Sequence, residues 1–314
     1  MIIYRKADRV LVQGMTGKQG TFWTEKMMEC GTTVVGGVNP KRAGETHIGV
    51  PVFASAGDAM SKAPFDIAVM FIPPAMAKEA ALDAVAAGAK LLVVLTEHIP
   101  VQDVMAVLLA ARNSGTRIVG PNTAGLVTPG EGFVGIMPGH NPNVFRAGSV
   151  GVISRSGSLG TLVSLNLTRA GIGQSAFIGI GGDPMIGTTT RDALQALDED
   201  ERTEAVVLVG EIGGSMEGKA AEYAATMTKP VVAFIAGRAA PAGKKMGHAG
   251  AIVTESYASK RAALERAGVV VADTPRDIPA AVSRRLAERA THDPEKWVPA
   301  FRKNHALKRN TETR

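Results

Sequence analysis

The chain has 314 residues, of which 45% are hydrophobic and 4% aromatic, with 36 glycines, a single cysteine and a net charge of +6. The length suits two soluble domains of about 150 residues each, and the lone Cys30 excludes a disulfide framework and fits a reducing compartment. No stacking aromatics are interleaved with the cations, and no signal peptide or spanning apolar run is visible, so neither nucleic acid nor a membrane is expected as a partner and the expected location is the cytoplasm or an equivalent matrix.

In chain order, short β-rich runs alternate with helical patterns, the rhythm of a parallel sheet packed by helices. Strands are expected over residues 10–13, 33–38, 66–72, 90–95 and 117–119 in the first half. In the second half they are expected over 149–154, 174–178, 205–209, 230–235 and 269–271. Abundant Gly, Ala and Val suit close helix-on-sheet packing in an α/β protein. Residues 128–147 carry Pro129, Gly130, Gly132, Pro138, Gly139 and Asn141-Pro142 without periodicity, and are expected to be an inter-domain linker. The organisation expected is therefore a first domain over 1–127, the linker, a second domain over 148–290, and a polar basic tail over 291–314.

The first strand runs into Gln13-Gly14-Met15-Thr16-Gly17-Lys18-Gln19-Gly20, after which a helix begins. Glycines at such a bend let the backbone approach a ligand, and the free N–H groups of the helix start favour phosphate. A dinucleotide site for NAD places an acidic residue about 20 residues on, to hold the ribose. Here that region reads Asn39-Pro40-Lys41-Arg42. Two cations in place of the acid argue against NAD and for a ribose that carries a phosphate, either NADP or coenzyme A, with a solvated basic turn as the alternative.

The second half repeats the arrangement with Ser154-Arg155-Ser156-Gly157-Ser158-Leu159-Gly160, which follows a strand and opens a helix. Ser156, Gly157 and Ser158 offer hydroxyls and amides to an anion, or simply cap a helix. Gly179 to Pro184 reads equally well as amides and Asp183 facing a crevice or as a tight turn. Glu211 ends a strand, where open α/β sheets place their sites. Further on, Lys244-Lys245-Met246-Gly247-His248-Ala249-Gly250-Ala251 sets one histidine among small residues after two lysines. An imidazole that receives and returns a phosphoryl group needs small neighbours, backbone donors and nearby positive charge. The same residues also suit a histidine that caps or packs at a helix start. Glu211, if it reaches His248, would fix the ring tautomer and stabilise the imidazolium; otherwise it is a polar strand end.

Taken together these segments resemble the α subunit of succinyl-CoA synthetase and, more broadly, the ADP- or GDP-forming acyl-CoA ligases. The resemblance runs over residues 5 to 290 and includes Gln13-Gly14 through Gly20-Thr21-Phe22, Val35-Gly36-Gly37-Val38, Thr96-Glu97, Gly120-Pro121-Asn122, Gly135 to His140, Ser154 to Gly157, Gly179 to Pro184, Gly210 to Gly214 and Met246 to Ala251. It implies a Rossmann-like CoA-binding domain followed by a flavodoxin-like, doubly wound ligase domain. Thr16, Gly17, Lys18, Gln19, Gly20, Arg42, Leu95, Thr96 and Glu97 are the coenzyme A contacts it implies. His248 would be phosphorylated, Glu211 would support it, and the helix start at Ser156, Gly157 and Ser158 would face the phosphate. The acid would lie near Asn122, Thr123 and Thr161. ATP or GTP with Mg²⁺ is expected in a partner, a β subunit with an ATP-grasp domain in a heterodimer or heterotetramer, because this chain has no Gly-x-x-x-x-Gly-Lys-Ser/Thr loop. No metal site is expected in this chain.

The acid expected is a dicarboxylate such as succinate, with malate or another hydroxy acid as the alternative. Several positions depart from the succinate pattern: Thr123-Ala124 replace a cysteine and a proline, Gly160-Thr161 end a run that otherwise reaches a tyrosine, Arg42 takes the place of a lysine, and His98 replaces a glycine. Losing a tyrosine opens space and removes a hydroxyl donor. An NADP oxidoreductase would explain Lys41 and Arg42 but leaves 246–251 without a role. A CoA-binding regulatory module would leave both Glu211 and His248 unexplained.

Overall fold

The computed structural model describes residues 2–240 and 256–292. In the first half β1 (Arg9–Gln13), β2 (Thr33–Val38), β3 (Thr46–His47), β4 (Val50–Phe53), β5 (Ile67–Met70), β6 (Leu91–Val94) and β7 (Arg117–Val119) form one sheet in the order β3-β4-β2-β1-β5-β6-β7. Only β3 runs antiparallel, against β4. Counting the parallel strands alone gives 3-2-1-4-5-6, the Rossmann order, with its switch point between β1 and β5. Strands β5 and β6 are buried at every position, as parallel strands covered on both faces must be. Helices α1 (Lys18–Glu29), α2 (Ala56–Lys62), α3 (Pro74–Ala86) and α4 (Val101–Ser114) pack on this sheet, with α3 against β5 and β6. The residues of α1 that point inward are Gly20, Thr24 and Met27, spaced for one helical face. Gly115, at φ 78°, closes α4 as a left-handed cap.

The second sheet joins β8 (Gly125–Thr128), β9 (Gly132–Gly135), β10 (Ala147–Ser154), β11 (Gln174–Gly179), β12 (Ala205–Glu211), β13 (Val231–Ala236) and β14 (Val270–Ala272), in the order β14-β13-β12-β10-β11-β8-β9. Its parallel strands read 2-1-3-4-5, the flavodoxin-like order. Helices α5 (Gly157–Arg169), α6 (Thr190–Glu199), α7 (Met216–Ala224), α8 (Tyr257–Arg266) and α9 (Ile278–His292) complete this half. Helix α6 starts at a reciprocal capping box of Thr189 and Asp192 and buries Ala193, Leu194 and Leu197 against the sheet. Gly151 in β10 makes room for that packing, since a Cβ there would sit 2.6 Å from Leu197 Cδ1.

The 128–147 segment, expected to be an inter-domain linker, instead contributes to the second sheet, and a boundary at 127 would cut a strand: β8 and β9 form a hairpin that adds antiparallel to β11. The glycines that resemble loop punctuation are there because two backbones come close. A Cβ on Gly125, at φ 101°, would lie 2.0 Å from the Val134 carbonyl oxygen, and one on Gly135 would lie 2.5 Å from that of Ala124. The apolar pairs between them, Leu126-Val127 and Phe133-Val134, are too short to show a period, although all four side chains are buried.

Candidate functional site

Loops at the C-terminal ends of both parallel sheets carry the candidate residues. After β1 the chain turns through Gly14, at φ 80°, and enters α1. The glycines of this turn have different reasons. A Cβ on Gly14 would strike the Phe71 carbonyl at 2.3 Å, and one on Gly20 would strike the Gly14 carbonyl at 2.2 Å, so both are required by packing. A Cβ on Gly17 meets only the Gly14 oxygen at 3.5 Å, so the protein itself leaves that space open. Gly17 caps α1 without any side-chain hydrogen bond, and no acidic residue occupies the first turn. The amides of Lys18, Gln19 and Gly20 therefore keep the orphan donors of a helix start, and residues 17 to 19 are exposed.

Thr16 is tied to the end of β2, because Asn39 Nδ2 donates to its hydroxyl at 2.6 Å. Asn39 also caps the 40–42 turn, accepting from the Lys41 amide at 3.0 Å. Arg42 is partly exposed and pairs with Glu45 at 2.7 Å, an ion pair screened by water and easily exchanged. Lys41 is exposed and makes no ion pair among the described residues. An uncapped helix start, open space at Gly17 and two accessible cations fit the phosphates and 3′-phosphoadenosine of coenzyme A. Leu95, Thr96 and Glu97 follow β6, and the Thr96 hydroxyl donates to the Ile72 carbonyl at 2.6 Å, beside the Phe71–Ile72 backbone against which Gly14 packs.

Asn122 joins the two sheets. Held at φ 56°, its amide donates to the Thr96 carbonyl at 2.9 Å, and its carbonyl accepts from the Gly182 amide at 3.1 Å. Its side-chain Nδ2 donates to Asp183 Oδ1 at 2.9 Å. Asp183 is thus a seam residue, and the 179–184 glycines form the turn that meets it. The Thr123 hydroxyl donates to the Gly179 carbonyl and accepts from the Gly125 amide at 2.9 Å, and its side chain is buried. The Thr161 hydroxyl likewise donates back to the Gly157 carbonyl at 2.8 Å. Gly160 is set by packing, because a Cβ would lie 2.5 Å from the Phe177 ring.

Helix α5 opens at Ser156, whose hydroxyl accepts from the Leu159 amide at 3.4 Å and lies 3.2 Å from that of Ser158. The Gly157 and Ser158 amides remain as first-turn donors. Between strand and helix stands Arg155, its side chain 2% exposed, with Nη1 3.2 Å from Glu211 Oε1 and Nη2 donating to the Gly182 carbonyl at 3.5 Å. Its Nε and Nη1 make no hydrogen bond among the described residues. Buried donors next to a helix start suit an anion. Arg155 stands in the quoted motif, yet nothing in the sequence pairs it with a carboxylate 56 positions away. His248, with Lys244 and Lys245, lies outside the described residues, as does the 293–314 part of the tail.

Comparison with known proteins adds the following. The family model described as "CoA binding domain" matches residues 5–98, and that described as "Succinyl-CoA ligase like flavodoxin domain" matches 147–283. A protein named as succinate–CoA ligase [ADP-forming] subunit alpha from Methanothermobacter thermautotrophicus is 46% identical over 92% of this chain and 98% of its own length. A namesake from Aquifex aeolicus is 43% identical over 91% of this chain and 94% of its own length. A subunit named as ADP-forming sulfoacetate-CoA ligase from Acholeplasma sp is 42% identical over 88% of this chain and 95% of its own length. Among solved structures, ATP citrate lyase from Methanothrix soehngenii, in complex with citrate and coenzyme A, shares the fold at a TM-score of 0.80 and 22% identity, over 95% of this chain and 52% of that one.

Proposed function

The chain belongs to the ADP-forming succinate–CoA ligase alpha-subunit family, and from that premise we propose that, with a β subunit, it forms a nucleotide-dependent ligase joining a dicarboxylic acid such as succinate to coenzyme A. His248 is the group we assign as the phosphoryl carrier. Its ring nitrogen attacks the γ-phosphorus of ATP or GTP, held with Mg²⁺ by an ATP-grasp domain of the partner, and a nucleoside diphosphate leaves. A carboxylate oxygen of the acid then takes the phosphoryl group, the N–P bond breaks and the imidazole is regenerated. Coenzyme A, bound as the second substrate, supplies the thiol that accepts the acyl group as phosphate departs.

The residues of this chain have distinct tasks in that sequence. The α1 start at Thr16, Gly17, Lys18, Gln19 and Gly20, with Lys41 and Arg42, binds phosphates, and the 95–97 strand end borders the same ligand. The amides of Gly157 and Ser158, the Ser156 and Ser158 hydroxyls and the Arg155 guanidinium stabilise the transferring phosphate. Glu211 orients the imidazole and offsets its positive charge when protonated or phosphorylated.

The observation that carries the reading is the run of contacts from Ile72 through Thr96, Asn122 and Gly182 to Arg155 and Glu211. It supports the reading by linking the backbone packed against the 14–20 turn of the first half to the buried Glu211 carboxylate of the second. A CoA-binding module without chemistry has no use for the second half of that run. The acid is less constrained, since Gly160 and Thr161 are small and the sulfoacetate relative is almost as similar as the succinate ones. Malate is the second reading, because Thr161 stands where the succinate pattern has a tyrosine, and losing a tyrosine removes bulk and a hydroxyl donor. Thioester formation by the αβ complex, with ATP or GTP and a panel of succinate, malate and sulfoacetate, tests both. The highest kcat/KM is expected for succinate; a higher value for malate selects the second reading, and no thioester with any acid refutes the ligase.

A further inference from the structure

Behind Glu211 lies a buried ion pair that the sequence analysis assigned no part. Lys260 on α8 and Glu217 on α7 are 1% and 0% exposed. Lys260 Nζ donates to the Glu211 carbonyl at 3.0 Å, to the Gly213 carbonyl at 2.6 Å and to Glu217 Oε2, which uses all three ammonium donors. The other carboxylate oxygen, Oε1, accepts from the Glu211 amide at 3.4 Å. Residue 211 is thereby gripped at both its N–H and its C=O, immediately before a turn in which Gly213 and Gly214 adopt φ of 88° and 66°.

Stability alone does not explain such a pair. Removing two charges from water costs so much that a matched apolar pair often serves as well or better. What an apolar pair cannot do is hold an amide and two carbonyls at a strand end. Lys260 also sits on α8, the helix capped by Ser256 directly after the 241–255 segment, so one ammonium joins the element following His248 to the strand end carrying Glu211.

We propose that Lys260 and Glu217 are positioning residues, which clamp the backbone of 211–213 so that the Glu211 carboxylate, paired with Arg155, keeps one orientation toward the phosphoryl carrier. This rests on the ligase reading above. The test is the double variant Lys260→Met with Glu217→Leu in the αβ complex, which removes the clamp without leaving a buried charge unpaired. Amide exchange read by mass spectrometry is expected to accelerate about tenfold or more over 211–215 with the first sheet unchanged. The rate of phosphorylation by labelled nucleotide is expected to fall about 100-fold, with the KM for nucleotide and the CoA dissociation constant unchanged. Wild-type phosphorylation in the variant overturns the proposal, whether or not exchange rises, and so does unchanged exchange. If the wild-type complex takes no label, the ligase reading fails, and exchange still decides the clamp. Should the double variant not fold, Glu217→Gln keeps the volume and is expected to move both readouts in the same direction; wild-type values for it overturn the proposal.

Discussion

Helices α1 and α5 both start at the C-terminal end of the first parallel strand of their own sheet, and they are prepared differently. Helix α1 opens at Gly17 with no side-chain cap, exposed amides and exposed cations. Helix α5 opens at Ser156 with its own hydroxyl on the Leu159 amide and a buried Arg155–Glu211 pair behind it. A bare helix start offers donors and room, which suffices to hold a fixed anion at about 0.3–1 kcal/mol from the helix dipole. A capped start backed by buried charges is already organised, so charge can move past it without reorganisation of the surroundings. Under the proposed function, the same local pattern, a strand, a glycine turn and a helix, would serve binding in one half and chemistry in the other.

The contrast can be broken most severely at Glu211. Glu211→Gln leaves Arg155 without its charge partner and is expected to slow phosphorylation by about 100-fold, while CoA affinity measured by calorimetry stays unchanged. Next come the two glycines of the first turn. Gly20→Ala drives a Cβ to 2.2 Å from the Gly14 carbonyl and is expected to cost about 1–3 kcal/mol of stability, read as a lower melting temperature. Gly17→Ala has no such clash and is expected to keep the melting temperature but weaken CoA. Equal loss of stability in both would contradict the assignment of Gly17 to the ligand.

Smaller effects sharpen the comparison. Arg42→Ala is expected to weaken CoA binding about tenfold and to flatten its salt dependence, leaving phosphorylation by nucleotide untouched. Ser156→Ala removes a cap and is expected to cost about 1 kcal/mol in denaturant unfolding, with CoA affinity as in the wild type.

Much of this fold is legible in the sequence because β-branched runs stand between glycine turns. The 33–38, 117–119 and 174–178 strands emerge within a residue of expectation, since Val, Ile and Phe have one favourable way to pack in a parallel sheet. The β8–β9 hairpin is not legible, because its glycines serve close backbone approach and its apolar runs are two residues long. At the site, local motifs such as 13–20 and 154–158 are readable, as both the chemistry and the turn lie within one short window. Partnerships formed by topology are not. Lys260, Glu217 and Glu211 are ordinary charges in sequence, and only the packing of α7 and α8 at the end of β12 brings them together.

Labelling decides whether the two halves cooperate in one phosphoryl-transfer enzyme. The αβ complex would be incubated with γ-phosphate-labelled ATP or GTP, in wild type and in His248→Asn. Label is expected on the α chain that is lost in acid, discharged by the acid substrate with CoA, and absent from the variant. No label with either nucleotide while CoA still binds, or equal label in His248→Asn, would contradict that cooperation.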